Sequence, residues 1–344
     1  MENFGFWSVV ITNFLIVLYL ALGGVTLSAV LHLANGKWRF QIRHLACSLA
    51  VLFPVAFVLL LIILAAGESA FPWLAHAHEE GHHLPGWHNY GFLVARNIGG
   101  FLVIASLYFL FIKFQRESEI DSSYRAQRRF RNIALLIPFF YFSYGSMVAW
   151  DFEMTMLPGW HSASYAPYHF QSNFHMFLGF FTIFLFVLHR SGKLVNSFEN
   201  YIFNFMAQFM LAMTILWTYL YFTQYLIMWY GRLPTEMGRY FSMMGEMGGL
   251  WWLFLTLKFI IPFCTLAITP NRHNPPVIVM VACSIVLGTW IERYTWISGS
   301  VEPQYYHTPM SSIADIVVTV VVFAVSWMAV KWSLTRYGLI RSGS

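Results

Sequence analysis

The chain has 344 residues, of which 58% are hydrophobic and only 10% charged. A soluble domain carries about 25% charged residues, so an ordinary soluble fold is excluded and almost no chain is left for a soluble domain beside a membrane one. The formal net charge of +5 comes from short basic loops rather than one continuous patch, which excludes a nucleic-acid-binding face.

About nine apolar stretches follow, at roughly 6–33, 45–67, 91–113, 133–155, 170–190, 201–230, 249–269, 276–296 and 311–335, each near the length that crosses a bilayer. They predict an all-α fold, a polytopic transmembrane helix bundle of about nine spans, with eight to ten as the range. The whole of 1–344 reads as one integral membrane domain. The first stretch begins almost at Met1, with no basic leader or convincing cleavage site, so it is expected to stay as a span rather than act as a cleaved signal.

Basic residues fall on alternate loops. Lys37, Arg39 and Arg43 follow the first span, and Lys113, Arg116, Arg125, Arg128, Arg129 and Arg131 follow the third. Arg190, Lys193 and Arg272 continue the series, and Arg336 and Arg341 end it. The other loops are poor in basic residues, and Arg232 and Arg239 are offset there by Glu236 and Glu246. The expected topology puts the N-terminus outside and the C-terminus in the cytoplasm. Cys47, Cys264 and Cys283 sit in apolar stretches without cluster spacing, so no iron–sulfur centre is expected in this chain.

The membrane-depth polar residues gather near the outer span ends. Arg96 lies in the third span, Asp151 and Glu153 in the fourth, and Gln171, Asn173 and His175 in the fifth. Gln224 lies in the sixth, Glu292 and Arg293 in the eighth, and Asp315 in the ninth. Ionisable groups in lipid are costly and face a bundle interior, so their common depth predicts a polar pocket near the outer surface. Arg96 and Asp151 stand at matched depth on consecutive antiparallel spans, which allows an ion pair. Taken singly, each residue also fits interfacial anchoring or structural pairing.

The inner half is sparser. Tyr141, Tyr144, Gln208 and Lys258 make a candidate proton path, with helix packing as the plainer use of the tyrosines and glutamine. A lysine as deep as Lys258 must be paired, neutral or facing water.

His76, His78, Glu79, Glu80, His82, His83 and His88 look like metal ligands, but a Gly- and Pro-containing loop lacks the fixed geometry that ligands need, so solvation or partner contact is preferred and no metal is expected. His175 and His189 are fourteen residues apart on one span, a spacing that suits two stacked haems only if a second helix offers a matching pair. None does, so a dihaem cytochrome b is excluded and one unusually ligated haem is the remaining variant; the expectation is no haem in this chain.

The segment Trp150-Asp151-Phe152-Glu153 runs through Pro158-Gly159-Trp160-His161 to Tyr165, Tyr168 and His169. Carboxylates, imidazoles and aromatic walls at a membrane surface suit a quinol ring, whose hydroxyls need hydrogen-bond partners and proton acceptors. A second segment, Tyr219 to Tyr230, carries Gln224 and leads into Gly231-Arg232-Leu233-Pro234-Thr235-Glu236.

In this order the segments resemble the NrfD/polysulfide-reductase membrane-subunit superfamily, and within it the ActF-type subunit of bacterial alternative complex III. The likeness rests on Asp151 to Trp160, on Gln224, Trp229, Tyr230, Pro234 and Glu236, on Lys258-Phe-Ile-Ile-Pro-Phe263, on Gly288 to Trp296, and on Arg96-Asn97. It implies an assembly in the bacterial cytoplasmic (inner) membrane. The implied partners are an iron–sulfur subunit, a molybdopterin-enzyme-like subunit, cytochrome c subunits and a second NrfD-like membrane subunit, with lipid around them. The implied work is quinol oxidation or quinone reduction (menaquinone or ubiquinone), with proton movement suggested for this branch.

Residues and resemblance together predict a membrane subunit of a quinol:electron-acceptor oxidoreductase, not catalytic alone. Asp151 and His175 are the expected proton acceptors. Arg96, Glu153, His161, His169, Gln171, Gln224, Glu292 and Arg293 are expected to shape the quinone pocket. One rival is a quinone-free structural or proton-conducting subunit. Another is a solute transporter, which predicts a midplane site and broken helices and is disfavoured by the outer belt.

Overall fold

A computed structural model describes residues 4–76 and 86–341. Among these residues the regular structure is helical, apart from one isolated bridge between Leu194 and Ile340. Among the described residues nine helices are long and apolar enough to cross a membrane, and the chain is a multi-pass membrane protein. They are α1 (Phe4–Leu33), α2 (Arg39–Ala65), α3 (Tyr90–Ile120), α4 (Tyr124–Met154), α5 (Tyr165–Ser191) and α6 (Tyr201–Tyr230). After a shorter helix, α7 (Pro234–Glu246), come α8 (Gly248–Leu266), α9 (Pro275–Ser298) and α10 (Ile313–Arg336).

Local chemistry sets several helix starts. Asn89, Ser123 and Ser312 accept the backbone N–H of Phe92, Ala126 and Asp315, capping α3, α4 and α10. Pro234 and Pro275 open α7 and α9, where no N–H is needed. The expected span count is met, and most boundaries agree closely. The exceptions are α2, α3 and α4, which run beyond the apolar stretches at their charged ends, and α5, which begins at Tyr165 and so takes Tyr168 and His169 into the helix. Lys113, Arg116, Arg125, Arg128, Arg129 and Arg131 therefore sit on helical extensions rather than in a loop. Hydropathy registers only the part of a helix that suits hydrocarbon, so it misses such ends.

The helix α1 lies at the centre, packed on α2, α4, α5, α9 and α10. Its Gly23 and Gly24 allow this. A Cβ on Gly23 would stand 2.1 Å from the Phe177 ring, and one on Gly24 would stand 2.0 Å from the Ala46 carbonyl oxygen. By contrast, α8 and α10 leave most of their apolar surface uncovered.

Successive spans alternate in direction. One end of the bundle gathers the start of α1 and the α4–α5 and α8-preceding connections, with α7 beside them; this is the N-terminal face. The opposite end gathers most of the basic residues, from Lys37 and Arg43 to Arg131, Arg190, Arg272 and Arg336, and is the basic face.

Two turns are wound wider than an α-helix, at Trp150–Met154 in α4 and Thr256–Ile260 in α8. In the first, Thr155 N–H reaches back five residues to Trp150 O at 2.9 Å. The second precedes Pro262, which has no N–H for the Lys258 carbonyl. Such π-bulges concentrate at functional sites. Here they carry Asp151, Glu153 and Lys258.

Candidate functional site

Asp151 and Glu153 are two residues apart, so they leave α4 on nearly opposite sides. Asp151 turns toward α3. Arg96 holds it through Nη2 to Oδ1 at 2.7 Å and Nε to Oδ2 at 2.9 Å. Asn97 Nδ2 and Trp87 Nε1 donate to the same carboxylate at 2.7 and 2.8 Å. Arg96 also donates to Trp87 O and stacks over the Trp87 ring at 4.1 Å. The ion pair expected from matched helix depth is therefore present, and it is bidentate.

Glu153 turns toward α5 and α9. Its Oε2 accepts Arg293 Nη1 at 2.5 Å and Tyr165 OH at 2.5 Å, and lies 2.9 Å from His169 Nδ1. The same His169 Nδ1 is 2.8 Å from Arg293 Nη1. That nitrogen can donate to Glu153 in one tautomer or accept from Arg293 in the other, and not both at once. His169 thus has two proton arrangements available at one fixed geometry.

Arg293 links this group to the next, with Nη2 3.1 Å from Glu292 Oε1. Glu292 accepts Ser172 Oγ at 2.6 Å and Trp217 Nε1 at 2.8 Å, and also Tyr168 OH and Lys258 Nζ. Lys258 Nζ further donates to Ser172 Oγ at 2.5 Å and lies 4.8 Å from the Trp217 ring centre. Glu153, Arg293, Glu292 and Lys258 are all fully buried. Two carboxylates face two basic groups; Tyr165 OH also donates to Glu153, and Tyr168 OH, Ser172 Oγ and Trp217 Nε1 donate to Glu292, while Glu153 Oε1 has no hydrogen-bond partner among the described residues. Such pairing is what makes ionic groups tolerable at this depth.

This arrangement revises the sequence reading at several places. Lys258, assigned to the sparse inner half, belongs to the same network as Glu292. Arg239, read as a loop cation, is buried on α7 and donates to the carbonyls of Glu153 and Trp296 and to Ser300 Oγ. Burial pushes its guanidinium below its ordinary pKa, and the Trp160 and Trp296 rings flank it at 4.6 and 5.0 Å. The signal that could have found it is the apolar spacing Met237, Tyr240, Met243, Met247, which marks an amphipathic helix rather than a loop.

Other residues named from sequence lie apart. His175 is buried, with Nε2 3.2 Å from Thr214 Oγ1, and it does not touch Asp151. Gln171 donates to Met213 O at 2.8 Å, and Gln224 donates to Tyr240 OH at 2.6 Å. Tyr141 OH donates to Phe170 O at 2.9 Å, and its ring and that of His169 both stack edge-on to Tyr19. Tyr144 is buried nearby on the same helix. Gln208 is exposed on α6 and bonds Asn204, away from these tyrosines. Asp315 pairs with His307 rather than joining the network. His78, Glu79, Glu80, His82 and His83 lie outside the described residues.

A cavity of about 270 Å³ opens on the N-terminal face beside Asp151. Trp87, His88, Trp150, Met154, Trp160 and His161 are among its lining residues. His88 Nε2 is 2.9 Å from Thr155 O, and His161 is largely exposed, 3.8 Å from Glu236. Gly159 turns the chain here with φ +85°, which glycine adopts without strain. The Trp87 indole separates the cavity from the Asp151 carboxylate while bonding to it.

No protein-family model matches the chain, and no curated protein matches it either.

Proposed function

We propose that this chain is the membrane subunit of a quinol:electron-acceptor oxidoreductase of the NrfD type, resembling that of alternative complex III. The observation that carries the reading is the aromatic cavity beside the Asp151–Arg96 pair. Trp87, Trp150 and Trp160 offer the ring apolar aromatic walls. His88 and His161 line the same cavity and would take the protons that quinol hydroxyls give up, and Asp151 holds Trp87 and Arg96 in place behind them. Quinol loses two electrons and two protons as quinone forms. The electrons pass to an iron–sulfur neighbour, because the chain's own residues serve only proton transfer and positioning. Glu153 and His169, whose bonds permit two proton arrangements, take the proton role first assigned to His175. The N-terminal face is then periplasmic and the basic face cytoplasmic, in a bacterial inner membrane.

A second reading has its own support. The enclosure of Glu153, Arg293, Glu292 and Lys258 favours a quinone-free subunit that conducts protons or only stabilises the assembly. Asp151→Asn in the intact complex separates the two. The quinol reading expects quinol oxidation to fall with normal assembly, because the neutral side chain no longer holds Arg96 and Trp87 at the cavity wall. Unchanged turnover with altered proton release would favour the second reading instead.

A further inference from the structure

A larger cavity lies at the other end of the molecule, away from the candidate quinol site. It measures about 610 Å³ and lies between α2, α3 and α10 on the basic face. We propose that it binds one anionic phospholipid, with the phosphate at Arg116 and His44 and an acyl chain running down between α2 and α3.

The first support is a polarity gradient along the cavity walls. Along α2 the lining runs from His44 through Cys47 and Val51 to Pro54. Along α3 it runs in the opposite chain direction, from Glu119 and Arg116 through Ile112 to Phe109. Each wall runs ten residue steps, from His44 to Pro54 and from Glu119 to Phe109. At 1.5 Å per residue that is about 15 Å, from headgroup level well into hydrocarbon. The two helices come from different parts of the chain, yet both turn from polar to apolar at the same depth. Trp332 lines the same space and is exposed toward the bilayer, as is Phe109. The lower part is therefore open sideways to lipid.

The second support is the charge at the mouth. Glu119 is already held by Arg43 at 3.0 Å and lies 3.3 Å from His44. Arg116 rests on the Tyr337 ring at 4.3 Å, and no ion pair holds it among the described residues. Two arginines thus face one carboxylate, leaving the mouth electropositive. A guanidinium braced by an aromatic ring suits phosphate oxygens at an interface.

The third support is that the polar end is built rather than accidental. The chain after α10 turns through Gly338, with φ +62°, and is pinned to the segment after α5. Val195 N–H donates to Leu339 O at 3.1 Å, and Arg341 N–H donates to Lys193 O at 2.8 Å. Asn196, Gly338 and Leu339 thereby line the cavity at its polar end. Ser333 Oγ, donating to Ser48 O at 3.1 Å, ties α10 to α2 at its back. A pocket polar at its mouth and open along its side to the bilayer suits an occupant with a charged head and an apolar chain.

Native mass spectrometry of the delipidated full-length protein tests this, using phosphatidylglycerol and phosphatidylcholine with identical acyl chains. Phosphatidylglycerol is expected to be retained about fivefold better, the advantage one basic group gives an anionic lipid. Arg116→Gln should bring the two lipids close to equal retention. Trp332→Ser should weaken both alike, because it touches the chain and not the headgroup. Equal retention by the unaltered protein would overturn the proposal. So would a preference unchanged in both Arg116→Gln and His44→Gln, or displacement of the lipid by soluble glycerophosphate or by a quinone. This test is independent of the quinol reading.

Discussion

Lys258 in α8 and Glu292 in α9 are joined inside the bundle, with Ser172 of α5 bonded to both. Neither has any exposed surface. Their pairing depends on a third residue, Gly288, one turn before Glu292 on the same helix. A Cβ there would stand 2.7 Å from Lys258 Cγ and 2.9 Å from Leu257 Cβ.

Removing one member of this pair strands the other. Lys258→Met leaves Glu292 facing Arg293 alone and gives the network one carboxylate too many. Loss of one partner of a buried pair costs about 3–5 kcal/mol. Thermal unfolding of the detergent-solubilised protein should show a large drop for Lys258→Met. The double variant Lys258→Met with Glu292→Gln should recover part of it, because the unpaired charge is gone. A double variant less stable than either single one would contradict a paired network.

Gly288→Ala tests the packing beneath the pair. The new methyl meets the Lys258 stem, which must shift while its ammonium remains tied to Glu292 and Ser172. Overpacking of this kind costs about 1–3 kcal/mol. The same melting assay should show the loss. It should be smaller when Lys258→Met is already present, since a freed side chain can move aside.

The turn between α3 and α4 has a pH signature of its own. Asp121 accepts the Ser123 backbone N–H and hydroxyl, both at 2.8 Å. The backbone bond first, and the hydroxyl bond second, hold its carboxyl below the ordinary value. A lowered folded-state pKa means that this turn contributes stability above the ordinary carboxylate pKa. The contribution fades as pH falls through the folded value. Carbon-detected titration of Asp121 should give a midpoint below that of a free aspartate. Ser123→Ala should raise it.

The sequence told more about some of these residues than others. The Arg96–Asp151 pair was legible because both depths could be counted from the same surface along antiparallel helices. Lys258 was placed too deep to meet Glu292, since its backbone lies ten residues into α8 while Glu292 lies six from the end of α9. Those counts differ by about 6 Å, which a lysine stem spans, so backbone depth alone could not pair them. Arg239 was missed for another reason: a charged segment between two spans reads as a loop unless its apolar period is counted. The cavity at Trp87 and His88 could not be foreseen, because it needs the segment before α3 to fold back on the end of α4.

The central claim is that a quinol ring binds among Trp87, Trp150 and Trp160. Photolabelling of the membrane-embedded protein with an azido-quinone, followed by peptide mapping, tests it most directly. The account predicts labelling in the segments around residues 86–88 and 150–161, suppressed by excess unlabelled quinone. Competable labelling confined to the α2–α3–α10 cavity, or none that unlabelled quinone suppresses, would contradict it.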